Sequence, residues 1–226
     1  MNQVSSHIGA VIVSAGTGQR MGVDKVFLPL AGKPLLAWSV DVCQNCELLS
    51  QIVIVLNESN LDSGHKLVAE RGWSKVGEVC PGGKRRQDSV TQGLKRLKAC
   101  DWVIIHDGAR PFLTLTLIQD GLEAARDTGA AAAAVPVKDT IKLGDDGGIV
   151  KETLPRQQLW AVQTPQVFRF DIITKAYAQV TDEVTDDASL VERLGYKVKL
   201  YMGDYNNIKV TTPQDLALAE VIARNR

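Results

Sequence analysis

A short apolar run, IGAVIV at residues 8–13, passes directly into SAGTGQRMGVDKVFLPL at 14–30, and nothing else in the chain restricts its fold as much. An apolar run of strand length without alternation suits a strand covered on both faces, and an amphipathic segment opens beyond the loop at Pro34. The loop therefore joins a buried strand to a helix, which is where open α/β sheets bind their ligands. Gly16, Gly18 and Gly22 let main-chain N–H groups approach a phosphate closely, while Arg20 and Lys25 add two cations to the same turn. A polyphosphate is the natural guest. Two other phosphate loops do not match. A dinucleotide fingerprint needs a third glycine where Met21 stands, and a Walker loop needs Ser or Thr where Pro34 follows Lys33.

The rest of the chain alternates strand and helix signals. Strand-length runs lie at 51–56, 76–80, 101–105, 130–137 and 197–202, and helical patterns at 61–70, 90–98, 115–127, 170–179 and 185–195, with a last helix starting at Thr212. This pattern predicts a single-domain, Rossmann-like α/β fold over 1–226, with a mostly parallel central sheet flanked by helices. Residues 159–168 read as a structural segment turning at Thr164-Pro165. Residues 138–158 stand apart: two short segments around 144–148 make a hairpin whose polar faces cannot build a core alone, a protruding arm that a partner would cover.

Lys plus Arg and Asp plus Glu number 26 each, so no overall charge points to nucleic acid or membrane, and any anion site rests on locally placed cations. The first residues, MNQVSSH, carry neither a basic region nor an apolar core, and no run reaches membrane-spanning length; a cytoplasmic protein is expected. Cys43 and Cys46 form a C-x-x-C inside a helical pattern with no second pair nearby, and with Cys80 and Cys100 they read as core residues rather than metal ligands or disulfides.

Two further loops carry polar chemistry. Residues 81–89, PGGKRRQDS, set a glycine pair and three cations before a helix, with Asp88 or Ser89 able to cap it. Residues 106–111, HDGARP, leave the end of a strand. Asp107 there could take Mg²⁺ or a substrate hydroxyl, Arg110 a phosphate or a structural carboxylate, and His106 reads as scaffold.

Taken together these strings resemble nucleotidylyltransferases. The matching residues are Ala15, Gly16, Gly18, Arg20, Met21 and Lys25, followed by Leu28, Leu30, Gly32, Pro34 and Leu35; then GGKRRQDS, HDGARP, LWAVQTPQVF at 159–168, TDDA at 185–188 and NIKVT at 207–211. The likeness spans nearly the whole chain and is strongest to the 2-C-methyl-D-erythritol 4-phosphate cytidylyltransferase family of the non-mevalonate isoprenoid pathway. Pentitol-phosphate cytidylyltransferases, acting on ribitol 5-phosphate, are the nearest alternative; a catalytically silent nucleotide-binding module is the alternative from another class.

The resemblance implies transfer of CMP from CTP to the acceptor phosphate, Mg²⁺ as cofactor, and a homodimer whose arms exchange. It implies catalytic roles for Arg20, Lys25, Arg156 and Lys209, and nucleotide binding by Ala15, Gly16, Thr17, Gly18, Met21, Gly82, Gly83, Ser89 and Gly108. Acceptor binding falls to Asp107, Arg110, Thr140, Arg156, Thr185 and Lys209. Only three residues separate Met21 from Lys25, which makes that loop short. The chemistry agrees independently: a phosphomonoester has a second pKa of about 6, so the nucleophile is already ionised and needs no general base. What remains is to bring two anions into line and spread charge over the α-phosphate, a task for positioned cations.

Overall fold

The computed structural model describes residues 7–16, 25–180 and 182–226. In chain order the elements are β1 (Ile8–Ser14), β2 (Pro29–Leu30), β3 (Lys33–Pro34), α1 (Leu35–Asn45), β4 (Leu49–Leu56), α2 (Leu61–Arg71), β5 (Val76–Pro81), α3 (Arg86–Leu94), β6 (Trp102–Asp107) and α4 (Leu115–Ala125). They continue with β7 (Ala130–Pro136), β8 (Lys142–Gly144), β9 (Val150–Thr153), β10 (Trp160–Arg169), α5 (Phe170–Gln179), α6 (Asp187–Arg193), β11 (Lys199–Met202) and α7 (Pro213–Arg224).

The main sheet has seven strands in the order β11-β7-β10-β6-β1-β4-β5. Only β10 runs against its neighbours, β6 and β7; the other pairings are parallel. The expected mixed α/β sheet is therefore present. Successive residues of β1 serve opposite layers, as strand geometry requires. Ala10 and Ile12 pack with α1, α2 and α4 through Leu36, Leu67 and Ile118. Val11 and Val13 pack with α3, α5 and α6 through Val90, Ile173 and Leu190. Both faces are covered, which explains why the strand carries no polar alternation.

One expectation is corrected. The segment around Thr164-Pro165 does not turn away from the sheet but lies inside β10, with a cis Thr164-Pro165 bond. The register with β7 jumps between Val162 and Gln166 there, so the proline sits in an irregularity where no ladder hydrogen bond is asked of it. Two flanking strands override the local turn signal.

The alanines of β7 are buried throughout, and Gly121 lets α4 lie close over the sheet: a Cβ there would come within 2.7 Å of Tyr201 Oη and 2.8 Å of Val167. Residues 138–158 contain the expected hairpin, with β8 and β9 paired antiparallel in a small sheet of their own. Their side chains are exposed along both strands.

The last helix begins as its sequence dictates. Thr212 Oγ1 accepts from Asp215 N at 3.2 Å, and Asp215 Oδ2 accepts in return from Thr212 N at 2.8 Å, with Pro213 in the first turn. Partial burial would raise the Asp215 pKa, but the hydroxyl and amide of Thr211 and the amide of Thr212 outweigh it and hold the carboxyl down at about 2. A depressed carboxylate stabilises the fold above its unfolded pKa of about 3.9, and that contribution fades as pH falls through the folded value. Asp215→Asn is accordingly expected to lower the urea midpoint at pH 7, and the gap from the parent protein should narrow between pH 4 and pH 2. A pH-independent gap would contradict this capping role.

Candidate active site

The carboxyl ends of β1, β4, β5 and β6 open onto one cleft of about 600 Å³. β1 delivers Ser14, Ala15 and Gly16, β4 leads to Asn57, and β5 leads to the stretch from Gly82 to Arg86. β6 ends in Asp107, while Lys209 and Thr211 enter from the segment before α7. The third hydrophobic cluster, Leu30, Leu35, Phe112 and Val210 under Ala219 and Ala223 of α7, anchors that segment beside the sheet. Val210 N also donates to Ala109 O at 2.8 Å, which ties Lys209 to the HDGARP turn.

Packing in the cleft wall is tight where glycine occurs. A Cβ on Gly82 would lie 2.3 Å from Ala15 Cβ and 2.6 Å from Ser89 Oγ, and one on Gly83 would lie 2.3 Å from Asp88 Cβ. The β1 and β5 loops therefore touch backbone to side chain, a spacing only glycine allows. Ser89 Oγ accepts from Gly83 N at 3.1 Å and donates to Arg85 O at 3.2 Å, so this hydroxyl shapes the loop from within. Asp88 accepts from Arg85 N at 3.1 Å, which makes it the helix-start group among the two that the sequence offered.

Asp107 is the electrostatic centre. Its Oδ1 lies 3.1 Å from Arg86 Nε and its Oδ2 2.7 Å from Lys209 Nζ, while Arg86 Nη2 reaches Asp187 Oδ2 at 2.7 Å. Burial alone would push the Asp107 pKa up, but Arg86, Lys209 and Arg110 more than reverse it and keep the carboxylate ionised far below its usual range.

His106, next to it, is fully buried, and burial drives its pKa down to about 4. Its Nε2 faces Arg110 O at 3.0 Å and its Nδ1 faces Thr164 Oγ1 at 3.1 Å. A carbonyl only accepts, so Nε2 carries the proton and Nδ1 accepts from Thr164. The same hydroxyl accepts from Asp107 N at 3.0 Å. A neutral imidazole thus braces the turn that aims Asp107, in keeping with a scaffold role.

Of the residues singled out from sequence, Ala15, Gly16, Gly82, Gly83, Ser89, Asp107 and Lys209 line the cleft together. Gly108 lies just behind it, where a Cβ would strike Ser14 Oγ. Arg110 Nη1 donates to the Asn207 carbonyl at 2.7 Å, which holds the guanidinium beside the turn that carries Asp107. Thr185 is exposed before α6, and Thr140 and Arg156 lie in the hairpin segment outside the cleft lining, Arg156 donating to Lys138 O at 2.6 Å. Thr17, Gly18, Arg20, Met21 and the side chain of Lys25 lie outside the described residues. Sequence reasoning placed Arg86 in an anion-facing cationic run and Asp187 among the carboxylates at a helix start, and it did not foresee that the two pair with each other.

Among the described residues no group of three or more His, Cys, Asp or Glu side chains is set to hold a metal ion, and no helix is long and apolar enough to cross a membrane. A cation held by one protein carboxylate and substrate phosphates is the arrangement this donor set can serve.

Comparison with known proteins agrees with this geometry. Residues 8–225 match the family model of 2-C-methyl-D-erythritol 4-phosphate cytidylyltransferase. The chain is 51% identical to the protein of that name from Dehalococcoides mccartyi strain 195 over 98% of each chain, and 44% identical to that from Caldanaerobacter subterraneus over 96% of this chain and 99% of the relative. Among solved structures it superposes on 4-diphosphocytidyl-2C-methyl-D-erythritol synthase from Anaerococcus prevotii with a TM-score of 0.87 and 30% identity, covering 97% of both chains. The cytidylyltransferase from Thermus thermophilus gives a TM-score of 0.80 at 33% identity over 96% of this chain and 99% of that one.

Proposed function

The chain belongs to the 2-C-methyl-D-erythritol 4-phosphate cytidylyltransferase family, so its reaction joins CTP and 2-C-methyl-D-erythritol 4-phosphate into 4-diphosphocytidyl-2-C-methyl-D-erythritol and pyrophosphate, and from that premise we propose how its residues divide the work. The observation that carries the assignment of roles is the meeting of Asp107, Lys209 and Arg86 at the end of β6, facing the glycine loops of β1 and β5 across one cleft.

CTP lies along the β1 loop, its base against Gly82, Gly83 and Ser89, and its ribose near Gly108. Close backbone approach there favours a flat base over a bulkier guest, and the tight fit of Gly82 on Ala15 supports it. Arg20 and Lys25 neutralise the triphosphate and stabilise charge on the five-coordinate phosphorus and the departing pyrophosphate. The acceptor phosphate attacks the α-phosphate in line, oriented by Lys209 and by Arg156. Asp107, Arg110, Thr140 and Thr185 hold the polyol and its phosphate. Mg²⁺ would be held mainly by the CTP phosphates with Asp107 as the protein carboxylate beside them, and when bound it supplies charge neutralisation on the triphosphate.

The hairpin acts in a homodimer. Leu143, Ile149 and Val150 expose 50%, 68% and 55% of their surface on it, an apolar strip that a monomer would leave in water, and this supports a partner subunit as its cover. Arms that exchange would bring Thr140 and Arg156 to the partner's cleft, which accounts for their standing outside this one. Mixing Arg156→Ala and Lys209→Ala proteins tests it. With exchanged arms each mixed dimer regains one intact site, so about a quarter of parental activity should return from two nearly inactive preparations. No recovery after confirmed subunit mixing would count against the exchange.

The reaction itself is tested by pyrophosphate release with CTP and Mg²⁺, comparing 2-C-methyl-D-erythritol 4-phosphate with ribitol 5-phosphate. Release with the first and little with the second is expected; preference for ribitol 5-phosphate would overturn the acceptor assignment.

A further inference from the structure

One cation of the cleft has two anionic partners from different parts of the chain. Arg86, the first residue of α3, places Nε 3.1 Å from Asp107 Oδ1 and Nη2 2.7 Å from Asp187 Oδ2. Asp187 is fully buried at the start of α6, and its other oxygen accepts from the Tyr177 hydroxyl of α5. Gln87 extends the grip: its amide nitrogen donates to Asp182 O and its amide oxygen accepts from Val184 N, each at 3.4 Å. The first turn of α3 therefore holds Asp107 at the end of β6 and, at the same time, the 182–187 segment that carries Thr185.

We propose that Arg86 is a positioning residue of the transfer reaction, fixing the 182–187 segment against the end of β6 so that the acceptor phosphate meets the α-phosphate of CTP. The inference rests on the acceptor role given to Thr185 above. A planar guanidinium reaches two carboxylates with separate nitrogens, as Nε and Nη2 do here, whereas an ammonium keeps the charge but puts all its donors on one nitrogen and cannot reproduce both contacts. Losing either link frees the acceptor segment while leaving the glycine loops that receive CTP in place. A brace of this kind acts on one substrate and on turnover, not evenly on both substrates.

The test is steady-state pyrophosphate release by Arg86→Lys and Tyr177→Phe with both substrates varied, alongside the parent protein and a thermal melt. Arg86→Lys should raise the KM for the acceptor by about tenfold to a hundredfold, the worth of one charge-assisted hydrogen bond, and lower kcat, with the KM for CTP within about twofold of the parent. Tyr177→Phe, which touches neither Asp107 nor the cleft, should move the acceptor KM in the same direction by about threefold. Unchanged acceptor KM in the folded variants, or equal rises for both substrates, would overturn the proposal. A melt shifted with both KM values intact would do so too, since that is the mark of a merely structural residue. A parent protein that ignores the methylerythritol phosphate would instead refute the acceptor assignment on which the proposal stands.

Discussion

Lys209→Ala is expected to lower kcat/KM for cytidylyl transfer by about 10²- to 10³-fold, the loss that follows when one preorganised donor to a transition-state oxygen is removed. Two effects act in the same direction. The variant lacks the ammonium proposed to orient the attacking phosphate, and it leaves Asp107 with Arg86 as its remaining close cation, so the cleft becomes more negative toward both anionic substrates. The melting temperature should fall as well, because buried Asp107 loses one of its two close cations, so the rate is read where the variant is still folded. Lys209→Arg should retain part of the rate. Parallel rate measurements and thermal melts decide the matter: a loss under about threefold in a folded protein would remove Lys209 from the reacting phosphates.

The second large effect is expected from a single methyl group. Gly82→Ala sets a Cβ 2.3 Å from Ala15 Cβ, and an alanine methyl has no rotamer by which to withdraw. The ends of β1 and β5 must part, or the 82–85 loop must lift off the sheet. Overpacking of this kind costs about 1–3 kcal/mol of stability. The displaced loop is the one proposed to hold the base, so the KM for CTP should rise by about tenfold or more while the acceptor KM stays near its parent value. This is the reverse of the pattern expected for Arg86→Lys, and the two variants together separate the nucleotide and acceptor halves of the cleft. An unchanged KM for CTP would mean that the base does not lie against Gly82.

These two positions differ in how far a sequence discloses them. Gly82 was legible because a glycine pair beside cations at a strand end has few other uses. β1, β4 and β6 were legible as well, since strands covered on both faces need apolar residues at every position. The pairing of Arg86 was not, because its partners are 21 and 101 residues away and ion pairing leaves no periodic trace. The two aspartates at the start of α6 point in different directions. Asp186 caps α6 by accepting from Ser189 N at 3.1 Å, as carboxylates at a helix start should, while its neighbour turns into the core. The course of β10 was hidden for another reason: Thr164-Pro165 is a genuine local turn signal, and only β6 and β7 on either side keep the strand in the sheet.

The ion pairs around Asp107 bear on what can occupy the cleft between turnovers. Two cations and two carboxylates satisfy one another there, so a stray sulfate or inorganic phosphate that draws Lys209 away leaves Asp107 short of a counter-ion. A ligand that also presents hydroxyl donors can compensate the carboxylate it displaces, and a polyol phosphate does so where a bare anion does not. With Asp107 in its proposed acceptor role, simple salts enter the competition for this cleft at a disadvantage.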